Sequence, residues 1–392
     1  MGIRFAERME NLGTEGAFVV LAKARNLEAQ GREIIHFEIG EPDFATPDNI
    51  VESAVGALQS GYTHYTPAAG IMQVREATAR FVSKRLGIDV DPLEVILVPG
   101  SKNVVLFTLL ACIEPGDEVI VPDPGYPAYE SLVRFIGAVP KYVHLREETG
   151  FRLDLDELQS LVGPKTRLLI INSPQNPTGG ILTRGDVEFL SGLAQEHDLL
   201  VLSDEIYSQI IYGDFEHISP LSLPDMRERT VLLDGMSKAY AMCGWRLGYA
   251  VAPRALIERM DRLMINSSSC AAAFTQMAAI EAFESPESER AVTRMVAEFE
   301  RRRDVMVDRL NAMPGVRCNK PDGSFYAFPN ISETGVSDKE LADRLLNDAG
   351  VAVLPGTAFG DGGRGYLRLA YTQSLPDVEK GLDRVAALIA TL

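Results

Sequence analysis

Four short stretches carry residue types suited to covalent, acid–base and anion-binding chemistry. Lys238, in Ser237-Lys238, follows an apolar run at 230–233 and a turn at Gly235. A lysine at the carboxyl end of a sheet strand sits where ligands bind in open α/β folds. Once desolvated, its amine is a nucleophile for a carbonyl. Ser203-Asp204-Glu205-Ile206-Tyr207 follows four apolar residues, 199–202. A buried Asp204 carboxylate needs a cationic or donor partner, such as a protonated ring nitrogen. Tyr207, three residues on, is spaced to approach the same ligand. Asn172-Ser173-Pro174-Gln175-Asn176-Pro177-Thr178-Gly179-Gly180 fixes a tight loop after another apolar run. Within it, the Asn176 amide can serve a phenolate or a carboxylate. Gly100-Ser101-Lys102-Asn103 opens a helix after a strand-like run, which makes an anion site. Ser237 and Arg246 can add a hydroxyl and a charge-assisted contact to it.

Each stretch alone has a plainer role. A single lysine is usually a solvated surface group. Asp204 suits a helix cap or a structural ion pair, Tyr207 suits core packing, and the 172–180 loop suits an ordinary turn. Gly360-Asp361-Gly362-Gly363-Arg364-Gly365 looks like a phosphate loop, but it does not follow a strand and open a helix. It reads as a mobile surface loop.

The elements that must position these residues alternate. Strand-like runs fall at 94–98, 118–121, 167–172, 199–203, 230–233 and 247–251, with helix-like segments at 101–113, 128–135, 155–161 and 183–196. That alternation predicts an α/β fold with a mostly parallel sheet and helices on both faces. Thr183 with Asp186 reads as a capping box. Beyond residue 285 the pattern changes to a charged helical run at 290–310, whose 298–303 portion reads as a solvated face. Strand-like runs at 325–329 and 366–370 follow, with a helix at 338–347 between them and a last helix at 375–392. The expected division is an arm over 1–45, a large domain over 46–285 and a small α+β domain over 286–392. A helix over 15–30 ends at Gly31.

Composition excludes several classes. The 392 residues carry a net charge of -17, with 46% hydrophobic and 24% charged residues. So acidic a surface repels nucleic-acid backbones and anionic membranes. The four cysteines have neither CxxC spacing nor a metal-like cluster, and read as buried, reduced thiols. Residues 1–11 are charged with no apolar leader, so a cytoplasmic location is expected.

Taken together, the 172–180 loop, Ser203-Asp204-Glu205-Ile206-Tyr207, the 237–249 segment and Arg368-Leu369-Ala370-Tyr371 resemble the fold-type I, class I/II aminotransferases, which use pyridoxal 5′-phosphate (PLP). The resemblance runs from Gly40-Glu41-Pro42-Asp43-Phe44 to Tyr371. It implies a seven-stranded-type sheet and a Schiff base between Lys238 and PLP, with the freed amine later moving the Cα proton. Asp204 matches the partner of the pyridine nitrogen, Tyr207 and Asn176 the donors to the ring oxygen, and Tyr126 the stacking aromatic. Ser101, Lys102 (through its backbone N–H), Ser237 and Arg246 match the phosphate shell. Tyr65 matches a tyrosine that reaches the phosphate across a dimer interface, which implies a homodimer with shared sites. Arg368 matches the arginine that grips the substrate α-carboxylate, and Gly40 lets the chain approach it.

The resemblance implies transfer of an amino group from an L-amino acid to 2-oxoglutarate or pyruvate, with a C–S β-lyase as the alternative and a non-catalytic sensor as a more remote one. Aspartate-specific relatives often place an arginine in the stretch matching 264–270, and a subgroup places lysines in stretches matching 13–18 and 104–109. None is present here. A neutral or monocarboxylic donor therefore fits at least as well as aspartate. Glu15 and Phe18 are expected along the side-chain pocket, with Glu15 favouring a basic or hydroxylated side chain.

Overall fold

The computed structural model describes residues 3–392. Its largest sheet has eight strands: β1 (Val95–Val98), β2 (Glu118–Asp123), β3 (Val139–Arg146), β4 (Arg152–Leu153), β5 (Thr166–Asn172), β6 (Leu200–Asp204), β7 (Thr230–Gly235) and β8 (Gly248–Val251). Their spatial order is β1-β8-β7-β6-β5-β2-β3-β4. The pairs from β7 through β3 are parallel. β8 runs against both of its neighbours, and β4 runs against β3.

The strands are apolar on both faces because both faces are covered. Val119, Val121, Leu168 and Ile170 pack on one side with Val104, Phe107 and Met264. Ile120, Leu169 and Ile171 point the other way, onto Val187, Leu190 and Leu158. A one-residue slip would exchange the two sets, so the register is strongly specified. The capping box forms: the Thr183 hydroxyl accepts from Asp186 N, and the Asp186 carboxylate accepts from Thr183 N at 2.8 Å. β3 was absent from the expectation. It lies near the sheet edge, half exposed and carrying Pro140, so it has no continuous apolar run to betray it.

A second core joins helix Pro286–Asn311, the short strands Tyr326–Ala327 and Leu367–Ala370, and helix Leu375–Ile389. Here the expected solvated face at 298–303 is wrong. Phe299 is fully buried, and Arg302 and Arg303 are nearly so. Arg302 pairs with Asp43 at 2.8 Å and Glu298 at 3.0 Å, and its guanidinium lies 5.0 Å from the Phe44 ring centre. Arg303 lies 4.4 Å from the centre of Tyr212. Charge along a helix marks solvent only where no opposite charge or ring comes to meet it. The 360–365 loop also differs from expectation. Gly362 N donates to both Asp123 oxygens at 3.0 and 3.1 Å. Gly360 has φ +116°, and a Cβ there would lie 2.1 Å from Asp123 Oδ1. The loop is clasped to the end of β2. Of the cysteines only Cys318 is buried, and Cys112 is exposed.

Candidate active site

β1, β2, β5, β6 and β7 all end at one edge of the sheet, and the residues that follow them line one cavity of about 540 Å³. It collects Ser101, Lys102, Tyr126, Asn176, Asp204, Tyr207, Ser237, Lys238, Arg246, Gly40 and Arg368. Of the expected site residues only Tyr65 is not brought there. It stands 89% exposed on the surface.

Lys238 Nζ donates to the Gly40 carbonyl at 2.5 Å, which ties the segment after β7 to Gly40. Gly40 has no room for a side chain: a Cβ there would fall 1.9 Å from the Tyr326 hydroxyl. Asp204 is buried at the end of β6. It accepts from Tyr129 OH at 2.6 Å and from Ile206 N at 3.2 Å. No cation pairs with it among the described residues. Burial pushes its pKa up to about 6, against the two hydrogen bonds.

That shift has a definite sign. An unfolded aspartate titrates near ~3.9. Between about pH 4 and 6 the folded apoprotein therefore holds a proton that the unfolded chain has lost. The burial penalty is absent below about pH 4, grows with pH and is complete above about pH 6, where it reaches about 3 kcal/mol. Asp204→Asn should stabilise the apoprotein above pH 7 by about 2–3 kcal/mol relative to its effect at pH 4. Urea unfolding of both chains across pH 4–8 measures this. A difference independent of pH would contradict it.

The anion shelf is built from glycines. Ser101 precedes helix Lys102–Cys112, and its hydroxyl donates to the Asp234 carbonyl at 2.9 Å. A Cβ on Gly248 would lie 2.5 Å from Ser101 N, and one on Gly235 would lie 2.3 Å from Ser101 Oγ. Gly100 has φ +86°, and a Cβ there would meet Arg246 Nη2 at 2.2 Å. Gly248→Ala should destabilise the fold by about 1–3 kcal/mol through overpacking. Its cofactor affinity should fall as well, and thermal unfolding with and without PLP separates the two effects. Normal loading with unchanged stability would show that the shelf tolerates the side chain.

Arg368, in strand Leu367–Ala370, is buried and donates to Asn176 Oδ1 at 3.1 Å and to the Glu38 carbonyl at 2.5 Å. Its Nε has no partner. Its guanidinium lies 4.4 Å from the Tyr326 ring centre and 4.9 Å from that of Phe359. Burial lowers its pKa. A desolvated guanidinium with a free donor is a prepared carboxylate site. Tyr207 exchanges a 2.9 Å hydrogen bond with Tyr326.

The Lys102 ammonium is not directed at the anion shelf but is paired with Glu15. Glu15, expected to favour a basic or hydroxylated side chain, has its carboxylate paired with this cation. Sequence reasoning missed Tyr129, Tyr326 and the orienting role of Asn172, which donates to the Asp204 carbonyl and accepts from Asn176 N. Tyr129 left a signal. It lies three residues after Tyr126 at the start of a helix, and that spacing puts both rings on one side. Tyr326 left none, because it arrives from more than a hundred residues away.

Residues 32–385 match the family model for aminotransferase class I and II. The chain belongs to that family. This aminotransferase is 43% identical to aromatic-amino-acid aminotransferase 2 of Thermococcus litoralis, over 92% of its own chain and 93% of the relative. It is 42% identical to an aspartate aminotransferase of Pyrococcus abyssi, over 94% and 95%. Among solved structures it is similar to an aspartate aminotransferase from Thermus thermophilus with maleate. That match has TM-score 0.95 and 37% identity, covering 99% of this chain and all of the other. It is also similar to an aromatic aminotransferase from Pyrococcus horikoshii, at TM-score 0.90 and 42% identity, covering 95% and 99%. The aminotransferase is PLP-dependent and transfers amino groups from amino acids to 2-oxo acids. The expected seven-stranded-type sheet is present, with two-residue β4 added at its edge. Among the described residues no helix is long and apolar enough to cross a membrane, and no cluster could hold a metal.

Proposed function

We propose that the cavity is a transaminase site that takes both neutral or aromatic and dicarboxylic substrates, with 2-oxoglutarate or pyruvate as acceptor. One observation carries the reading: Lys238, Asp204 and Arg368, a nucleophile, a buried acid and a buried cation, line one cavity. The residues fit PLP. Asp204 is a buried carboxylate without a cation, of the kind a pyridinium N–H satisfies. Ser101, Ser237 and Arg246 give a phosphate hydroxyls, a guanidinium and a helix N-terminus. Bound there, PLP supplies an electron sink for the bond broken at the substrate Cα.

This chain's residues do the rest. Lys238 would hold the cofactor through its amine and, once free, would move the proton at the substrate Cα. Asp204, held in place by Tyr129, would stay ionised against a cofactor's protonated ring nitrogen. Asn176 and Tyr207 would hold a cofactor's ring oxygen, and Tyr126 would offer its aromatic face to the ring. Arg368 fixes the α-carboxylate and so aims the Cα–H bond, while Gly40 leaves that carboxylate room. Lys102 adds its backbone N–H to the anion shelf.

The same reading includes a cytoplasmic homodimer in which Tyr65 serves the neighbouring site, and the division into 1–45, 46–285 and 286–392. A panel of amino acids, each with 2-oxoglutarate or pyruvate as acceptor, tests the function. Amino acid alone should convert the cofactor to its amine form. Release of pyruvate and ammonia would instead mark a β-lyase.

A further inference from the structure

Next to the cavity, but not lining it, lies a cluster of buried charge. Glu205 follows Asp204 at the end of β6, and Asp234 lies near the end of β7; both are buried. Arg85, in the last turn of helix Met72–Leu86, joins them. One terminal nitrogen of its guanidinium donates to Asp234 Oδ2 at 2.8 Å, and the other lies 3.4 Å from Glu205 Oε2. Ser203, Ser219 and His217 also hydrogen-bond Glu205, and Ser208 and Tyr249 donate to Asp234. Taking such ions out of water costs several kcal/mol each, and apolar residues of the same size often serve stability as well. Stability alone therefore does not account for the cluster.

Its place in the sheet does. β6 and β7 pair as far as Asp204 and Leu233, and Glu205 N donates to the Leu233 carbonyl at 2.8 Å. Among the described residues no backbone hydrogen bond joins the segments that follow, 206–210 and 236–240. The Arg85 bridge is the next tie. On one side of it stands Asp204. On the other, the Asp234 carbonyl accepts from Ser101 Oγ at 2.9 Å and anchors the anion shelf. We propose that Arg85 is a positioning residue: by bridging Glu205 and Asp234 it sets the spacing between Asp204 and the Ser101 shelf. A short arm joins the ring and the phosphate of PLP, so the two ends engage together only where that spacing is right. The inference rests on the reading that Asp204 and the shelf hold the two ends of one cofactor.

Calorimetric titration of apoprotein tests it with PLP and with each end alone, pyridoxal and inorganic phosphate. Arg85→Lys keeps the charge but loses the fork, because an ammonium is a point donor. Its PLP affinity should fall by about tenfold, while pyridoxal and phosphate shift by less than about twofold. If Arg85→Lys does not fold, the combined variant Arg85→Met, Glu205→Gln and Asp234→Asn removes all three charges at once and carries the same expectation. Unchanged PLP affinity in the folded variant would overturn the proposal. So would equal losses for all three ligands, the mark of general loosening. Failure of the cofactor reading looks different: the parent apoprotein itself would bind PLP no more tightly than pyridoxal.

Discussion

Lys238→Ala should lower turnover with every amino donor by about 10⁴-fold or more. No second amine stands ready. Lys102, the other lysine lining the cavity, is held by Glu15. The anion shelf and Asp204 belong to other segments, so the variant should still bind PLP, though without a covalent link. Single-turnover absorbance with an amino acid reads the chemical step apart from binding. Residual activity above about one per cent of the parent would mean that another group moves the proton.

Arg368→Ala should lower kcat/KM by roughly a thousandfold for donors and acceptors alike, since both carry the α-carboxylate. Two charge-assisted hydrogen bonds to a carboxylate are each worth about 1.5–3 kcal/mol. Apoprotein stability should change far less. The arginine is a buried cation with an unpartnered Nε and only neutral acceptors, Asn176 Oδ1 and the Glu38 carbonyl. Removing it leaves two acceptors unpaired, at about 1–3 kcal/mol each, but relieves a desolvation penalty of several kcal/mol. The two nearly offset, so a net change below about 2 kcal/mol is expected. Steady-state kinetics and urea unfolding check the pair of outcomes. Parallel large losses of activity and stability would make Arg368 a structural residue.

Asp204, Lys238 and the Ser101 shelf were legible because each follows a strand buried on both faces, and such strands are plain apolar runs. Their convergence followed from parallel strands ending on one edge. What stayed hidden depends on long-range contact. Tyr326 meets Tyr207, and Arg302 meets Asp43, only after the second core has docked. The charges at 298–303 read as solvent-facing because nothing local announces a buried partner. Asp123 clasping the 360–365 loop joins segments more than two hundred residues apart. The Glu15–Lys102 pair hid for the same reason.

The bond between Lys238 and the cofactor is the central claim, and one measurement reaches it directly. Holoenzyme is reduced with borohydride, digested and mapped by mass spectrometry. The account predicts one pyridoxyl adduct per chain, on the peptide that carries Lys238. An adduct on Lys102 or any other lysine, or none in colour-saturated protein, would contradict it.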